Sequence, residues 1–99
     1  MLFRSRVITV VFSEFGRRVA ENGSSGTDHG TAAPMFVIGT NARSGIWGNH
    51  PSLNDLDGGD LRHSIDFRSV YAGLLKDWMK TNPIPILGGD FTPAKVIKA

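Results

Sequence analysis

Two short, unbroken apolar runs constrain this chain more than any other feature. Val7-Ile8-Thr9-Val10-Val11-Phe12 is β-branched and almost continuously apolar, and Met35-Phe36-Val37-Ile38 begins after Pro34 and stops at Gly39. A strand with one wet face alternates apolar and polar residues. A continuous run reads instead as a strand covered on both faces, and such strands belong to the parallel sheets of α/β proteins.

The clearest helix starts at Asp66, a good N-cap, and places Phe67, Val70, Tyr71, Leu74, Leu75 and Trp78 on one stripe. Lys76 and Lys80 favour the negative end of its dipole, and Asn82-Pro83 is read as its stop. The two strands are the expected partners of that stripe. Two buried strands and one helix cannot cover both faces of a parallel sheet, so the remaining cover must come from a partner or an absent N-terminal half. At 99 residues the chain is at most one small domain. The expectation is therefore a single partial domain over residues 1–99, the C-terminal part of a larger α/β domain.

The intervening stretches are less regular. Glu14 to Glu21 reads as a short helix and the rest of Ser13 to Ala33 as loop, because Asn22-Gly23-Ser24-Ser25-Gly26 is rich in turn residues. Gly39 to Ile65 shows no periodicity, a length of loop that marks either function or missing partner structure. After Pro83 the segment Ile84-Pro85-Ile86-Leu87-Gly88-Gly89 reads as extended.

Composition excludes several classes. Hydrophobic residues make up 40% and charged residues 20%, which is ordinary for a soluble globular protein. The 11 basic residues are scattered among 9 acidic ones, whereas a nucleic-acid binder concentrates its cations on one face. With no cysteine, disulfides and thiolate-based zinc or redox chemistry are excluded. The apolar run near the N-terminus is too short for a signal sequence or a membrane span.

In open α/β sheets ligands bind beyond the carboxyl ends of the strands, which points first to Ser13-Glu14-Phe15-Gly16-Arg17-Arg18. Glu14 can serve as metal ligand or general base, Ser13 as hydrogen-bond donor and Arg17 as anion clamp. The plain alternative is a turn with solvated charges. Asp28-His29-Gly30 is the second element: an imidazole beside a carboxylate can bind a divalent metal or shuttle a proton. Against that stands a loop Asp that caps Gly30 or Thr31, with an exposed His. His50 and His63 are weaker candidates, each more in keeping with a surface or packing histidine. The stretch Asp55 to Asp60 superficially fits a calcium loop, but Gly59 and Asp60 occupy the fifth and sixth positions, so it reads as a surface turn. Gly23-Ser24-Ser25-Gly26 lacks the Gly-Lys-Ser/Thr of a phosphate loop.

Taken together, Val10-Val11-Phe12-Ser13-Glu14-Phe15-Gly16-Arg17, Asn22-Gly23-Ser24-Ser25-Gly26-Thr27-Asp28-His29-Gly30 and Asp66-Phe67-Arg68-Ser69-Val70-Tyr71 resemble the closing section of a bacterial family, domain of unknown function 1501. That family is grouped with the alkaline-phosphatase-like superfamily of sulfatases and phosphoglycerate mutases, and the likeness runs from about Val7 to Gly89. It implies a partial alkaline-phosphatase-like fold, a fragment of a mainly parallel sheet flanked by helices. It also implies His29 as a metal ligand, with Asp28 as its neighbour and helper, and an exported or periplasmic location. Where the superfamily carries Asp-His after the first strand, this chain has Ser13-Glu14, so the site would be richer in oxygen. Such a site favours magnesium, calcium or manganese over zinc. The superfamily's Ser or Thr nucleophile falls in a region this chain does not contain.

The resemblance thus implies a fragment of an exported, metal-dependent, hydrolase-like protein acting on phosphate or sulfate esters and inactive alone. Its partners would be the missing N-terminal half and a small ester substrate, with no nucleic acid and no membrane span. Its metal set would be His29, Glu14 and Asp28, and its anion contacts Arg17 and Ser13. Two rivals stand beside it: a binding or surface protein that kept the fold and lost the chemistry, and a truncated reading frame with no independent role.

Overall fold

The computed structural model describes residues 4–98. Its elements follow in the order of a 3₁₀ turn (Arg4–Arg6), β1 (Thr9–Val11), β2 (Gly16–Glu21), β3 (Thr27–Gly30), β4 (Phe36–Ile38), β5 (Leu56–Asp57), β6 (Asp60–Leu61), α1 (Phe67–Gly73), a π-helical turn (Leu74–Trp78) and α2 (Pro83–Leu87). The architecture is mixed α/β, with three two-stranded sheets: β1 with β4, β2 with β3, and β5 with β6. The β2–β3 and β5–β6 pairs are antiparallel. The described chain divides into two compact units, one drawn from residues 4–9, 37–46 and 65–98 and the other from 10–36 and 47–64.

The unit of residues 10–36 and 47–64 is built from hairpins. Where the sequence suggests a helix over Glu14 to Glu21, the chain forms β2, because Thr27 to Gly30 offers it an antiparallel partner across the turn. Tertiary pairing outweighs the weak helical bias of such a segment. Asn22 closes the turn with its side-chain oxygen, which accepts from the backbone N–H of Ser24 at 2.9 Å and of Gly26 at 3.0 Å. A short carboxamide reaching forward along its own backbone is the usual stabiliser of such turns. Gly16 pairs with Gly30, and both are buried. A Cβ on Gly16 would lie 1.7 Å from the Ala32 carbonyl oxygen. The crossing of the chain over this rung therefore requires a residue without a side chain.

The second hairpin turns at Gly58 and Gly59, with φ of 58° and 95°. Positive φ at both central residues of a two-residue loop is the type I′ geometry, which matches strand twist and suits glycine. The surface turn expected for Asp55 to Asp60 is thus a tight hairpin. It packs on the first hairpin through Arg18 Nε and Asp60 Oδ1 at 2.9 Å, and through the Thr31 hydroxyl, which donates to the Leu61 carbonyl at 3.1 Å.

The other unit centres on α1. Asp66 caps it as the sequence indicates, its Oδ1 accepting from the Arg68 backbone N–H at 2.9 Å. The expected helix is interrupted after Gly73: the Met79 N–H reaches back five residues to the Leu74 carbonyl, and Lys80 turns out of the helix at φ 56°. Asn82-Pro83, read as a stop, instead starts α2. Asn82 accepts from the Ile84 N–H at 3.1 Å and Pro83 occupies the first turn, where its missing N–H costs nothing. The segment after Pro83 is therefore helical rather than extended, and Gly88 at φ 74° ends it.

Burial also differs from the sequence reading. The buried residues of α1 are Ala72 and Gly73, on the far side of the helix from the apolar stripe of Val70, Tyr71, Leu74 and Trp78, which is half-buried. A Cβ on Gly73 would lie 2.1 Å from the Ala94 carbonyl oxygen, and Ala94 N–H donates to the Ser69 carbonyl at 2.9 Å. Among the described residues α1 therefore packs on α2 and, at Ala94, on the segment 94–98. That segment bridges Ile97 to Ala42, and Val96 and Ile97 join Ala72 in the core. The strands themselves lack the expected cover: Phe12, Phe36 and Ile38 are 60%, 55% and 57% exposed. Among the described residues no helix is long and apolar enough to cross a membrane.

Candidate functional site

Six residues singled out in the sequence, Ser13, Glu14, Arg17, Asp28, His29 and His50, fall in the unit built from the hairpins. Pairing of β2 with β3 sets Arg17 directly opposite His29. Directly paired residues project from the same face of a sheet, so the guanidinium and the imidazole share a surface although twelve positions separate them in the chain.

Phe15, two residues before Arg17, completes this surface. Its ring stacks on the His29 imidazole with centroids 3.5 Å apart and planes 15° from parallel. The Arg17 guanidinium carbon lies 5.2 Å from the same ring centroid, within cation–π range. Arg17 is further anchored by Nη1, which donates to the Thr27 carbonyl at 2.7 Å. The result is a cation, a phenyl ring and an imidazole held together on an exposed ribbon. Its chemistry suits contact with an anion through Arg17 and lone-pair donation or proton exchange through His29.

The other candidates take different positions. Glu14 is exposed in the bend before Phe15, with no hydrogen bond or ion pair among the described residues. Ser13 donates from its hydroxyl to the Phe15 carbonyl at 2.9 Å and so shapes the same bend. Asp28 follows the strand alternation to the face opposite His29, where it accepts from Asn22 Nδ2 at 3.1 Å and braces the hairpin end. Adjacency in sequence thus separates this carboxylate from the imidazole. His50 places Nδ1 3.0 Å from the Pro51 carbonyl in an exposed loop.

Among the described residues no three His, Asp or Glu side chains gather to form a metal-holding group. Glu14 and His29 would supply two donors at most, short of the four to eight ligands that divalent ions take. Among the described residues, then, no complete metal site is formed.

Sequence reasoning missed Phe15 and the pairing that brings Arg17 to His29. The signal was present: Asn22-Gly23 between Arg-Arg-Val-Ala-Glu and Thr-Asp-His-Gly is a hairpin signature. It also missed the Arg18–Asp60 pair, which joins residues 42 positions apart and leaves no local trace.

A family model described as protein of unknown function (DUF1501) matches residues 4–77. No curated protein and no solved structure matches the chain. The match spans most of the sequence, including the hairpin with Arg17 and His29 and the Asp66-capped helix, and the chain belongs to that family.

Proposed function

With that membership as the premise, we propose that this chain supplies the closing section of an exported, alkaline-phosphatase-like hydrolase whose substrates are phosphate or sulfate esters. The observation that carries the reading is the pairing of Arg17 with His29 on one face of the β2–β3 hairpin. In this reading Arg17 contacts the ester anion, Ser13 shapes the bend beside it, and His29 and Glu14 are two donors toward a divalent ion (Mg, Mn, Ca or Zn). The remaining ligands and the nucleophile belong to an N-terminal half. A bound ion would supply polarisation of the ester oxygen. The exposed apolar side chains of Phe12, Phe36 and Ile38 support a missing half that would cover the β1–β4 pair and extend it into a larger sheet. Since each is a little over half exposed, covering the remainder is worth about 1–2 kcal/mol per side chain.

The test compares Mn²⁺ binding and aryl phosphate and sulfate hydrolysis in the 99-residue chain with the same measurements on a form extended by the N-terminal half. The chain alone is expected to hydrolyse neither ester. The extended form should bind metal and turn over ester, losing metal with His29→Ala and substrate affinity with Arg17→Ala. An extended form that binds no metal refutes the hydrolase reading.

The second reading, a binding protein that kept the fold, is favoured by the Phe15 ring lying flat on His29. It predicts an unchanged metal-free state after His29→Ala in the extended form, with ligand retention by Arg17 and Phe15 alone.

A further inference from the structure

In the unit containing α1, a cleft of about 330 Å³ is lined by Arg43, Asp77, Lys80, Lys95, Ile97 and Lys98. Four of the six carry positive charge and one negative, a local excess of three, whereas the whole chain has a formal charge of only +2. The scattered cations of the sequence are gathered here by the fold. Lys80 follows the π-helical turn in a left-handed conformation. Lys95 and Lys98 flank Val96 and Ile97 on the segment that bridges to Ala42, and Arg43 follows that bridge. Arg43 N–H donates to the Val96 carbonyl at 2.8 Å and its Nη1 to the Lys95 carbonyl at 3.1 Å, which fixes one wall. The buried Ile97 contributes an apolar surface to the lining.

Lys80, Lys95 and Lys98 make no ion pair among the described residues, and neither does Asp77. Like charges brought into one concave surface repel one another, and an anion placed between them relieves that cost. We infer that this cleft is a binding site for a small, multiply charged oxyanion of the phosphate or pyrophosphate type. Its volume is at the small end of ligand pockets, which suits a compact anion rather than a polymer. Asp77 limits the field inside the cleft and disfavours singly charged anions that gain too little from the lysines. The site uses none of the residues around His29, so its failure leaves the reading of that hairpin untouched.

The test is calorimetric titration of the 99-residue chain with pyrophosphate, inorganic phosphate and chloride at low ionic strength. Pyrophosphate should bind more tightly than phosphate, and chloride should not compete. Lys95→Gln and Lys80→Asn should each weaken pyrophosphate by about fivefold, the Coulombic worth of one near charge in a wet cleft. Asparagine is chosen at position 80 because it tolerates the φ of 56° there. Asp77→Asn should strengthen binding by a similar factor, an increase that an unfolded variant cannot produce. Affinity unchanged across the three variants, or weakened by Asp77→Asn, overturns the site. So does equal binding of chloride and pyrophosphate.

Discussion

Gly16→Ala is the sharpest probe of how the hairpin is built. The added Cβ would lie 1.7 Å from the Ala32 carbonyl oxygen and 2.6 Å from its carbon, whereas real Cβ atoms essentially never come closer than 3.0 Å. Relief demands a backbone displacement of at least 1.3 Å at a buried rung, since Gly16 pairs with Gly30 and Ala32 follows only two residues later. Overpacking of rigid neighbours costs about 1–3 kcal/mol, and loss of the paired rung adds about 1 kcal/mol. We expect destabilisation of about 3 kcal/mol. Gly23→Ala is the matched control: a Cβ there meets nothing within 4 Å, so its effect should stay within about 0.5 kcal/mol. Urea unfolding read by Trp47 fluorescence in a Trp78→Phe background reports on the unit that holds the hairpin. With a urea slope of about 1–2 kcal/mol per molar for a chain of this size, the midpoint should fall by about 1.5–3 M for Gly16→Ala. Coincident midpoints for the two variants would refute the argument that close backbone approach, rather than loop flexibility, selects glycine at position 16.

Arg18→Ala and Asp60→Ala should show a coupling of about 0.5–1 kcal/mol in a double-mutant cycle, because their 2.9 Å pair joins two hairpins while remaining partly exposed. Gly59→Ala should destabilise by about 1–2 kcal/mol in the same urea assay, since φ of 95° excludes a side chain and its Cβ would also press on Arg18. Asn82→Ala should cost about 1 kcal/mol by removing the cap of α2, visible as lost helical circular dichroism and a lower melting temperature. Lys80→Gly should stabilise by about 1 kcal/mol, because glycine takes the left-handed conformation at the helix exit without strain.

Part of this organisation was legible along the chain because its cause is local. Asp66 caps α1 through a carboxylate that reaches its own neighbouring N–H groups, and nothing distant is needed for that. The type of turn at Asp57-Gly58-Gly59-Asp60 follows in the same way from two residues that tolerate positive φ. The apolar runs around Val10 and Val37 contain strands, and these pair with each other. Asn82-Pro83 shows how a local signal divides: the same pair ends one helix and begins another, and only the chain that follows decides which.

The candidate site was legible as residue types but not as an arrangement. Arg17 and His29 were identified from their neighbours, yet their common face depends on a ladder register between segments on either side of a five-residue turn. Phe15 had no chemistry to draw attention to it until His29 lay against its ring. Asp28 shows the complementary effect, since strand alternation sends neighbours in sequence to opposite faces.

The order of residues thus sets short-range commitments: caps, tight turns, strand-forming runs and a balance of charges without a basic stripe. Which of those pieces meet is settled by folding. Strand pairing placed Arg17 across from His29, and the return of residues 94–98 past Ala42 drew Lys80, Lys95 and Lys98 around one cleft. The difference is one of range. A hydrogen bond to a neighbouring N–H is specified by a few consecutive residues, whereas a register, a close backbone approach or a gathered field depends on where distant segments come to rest.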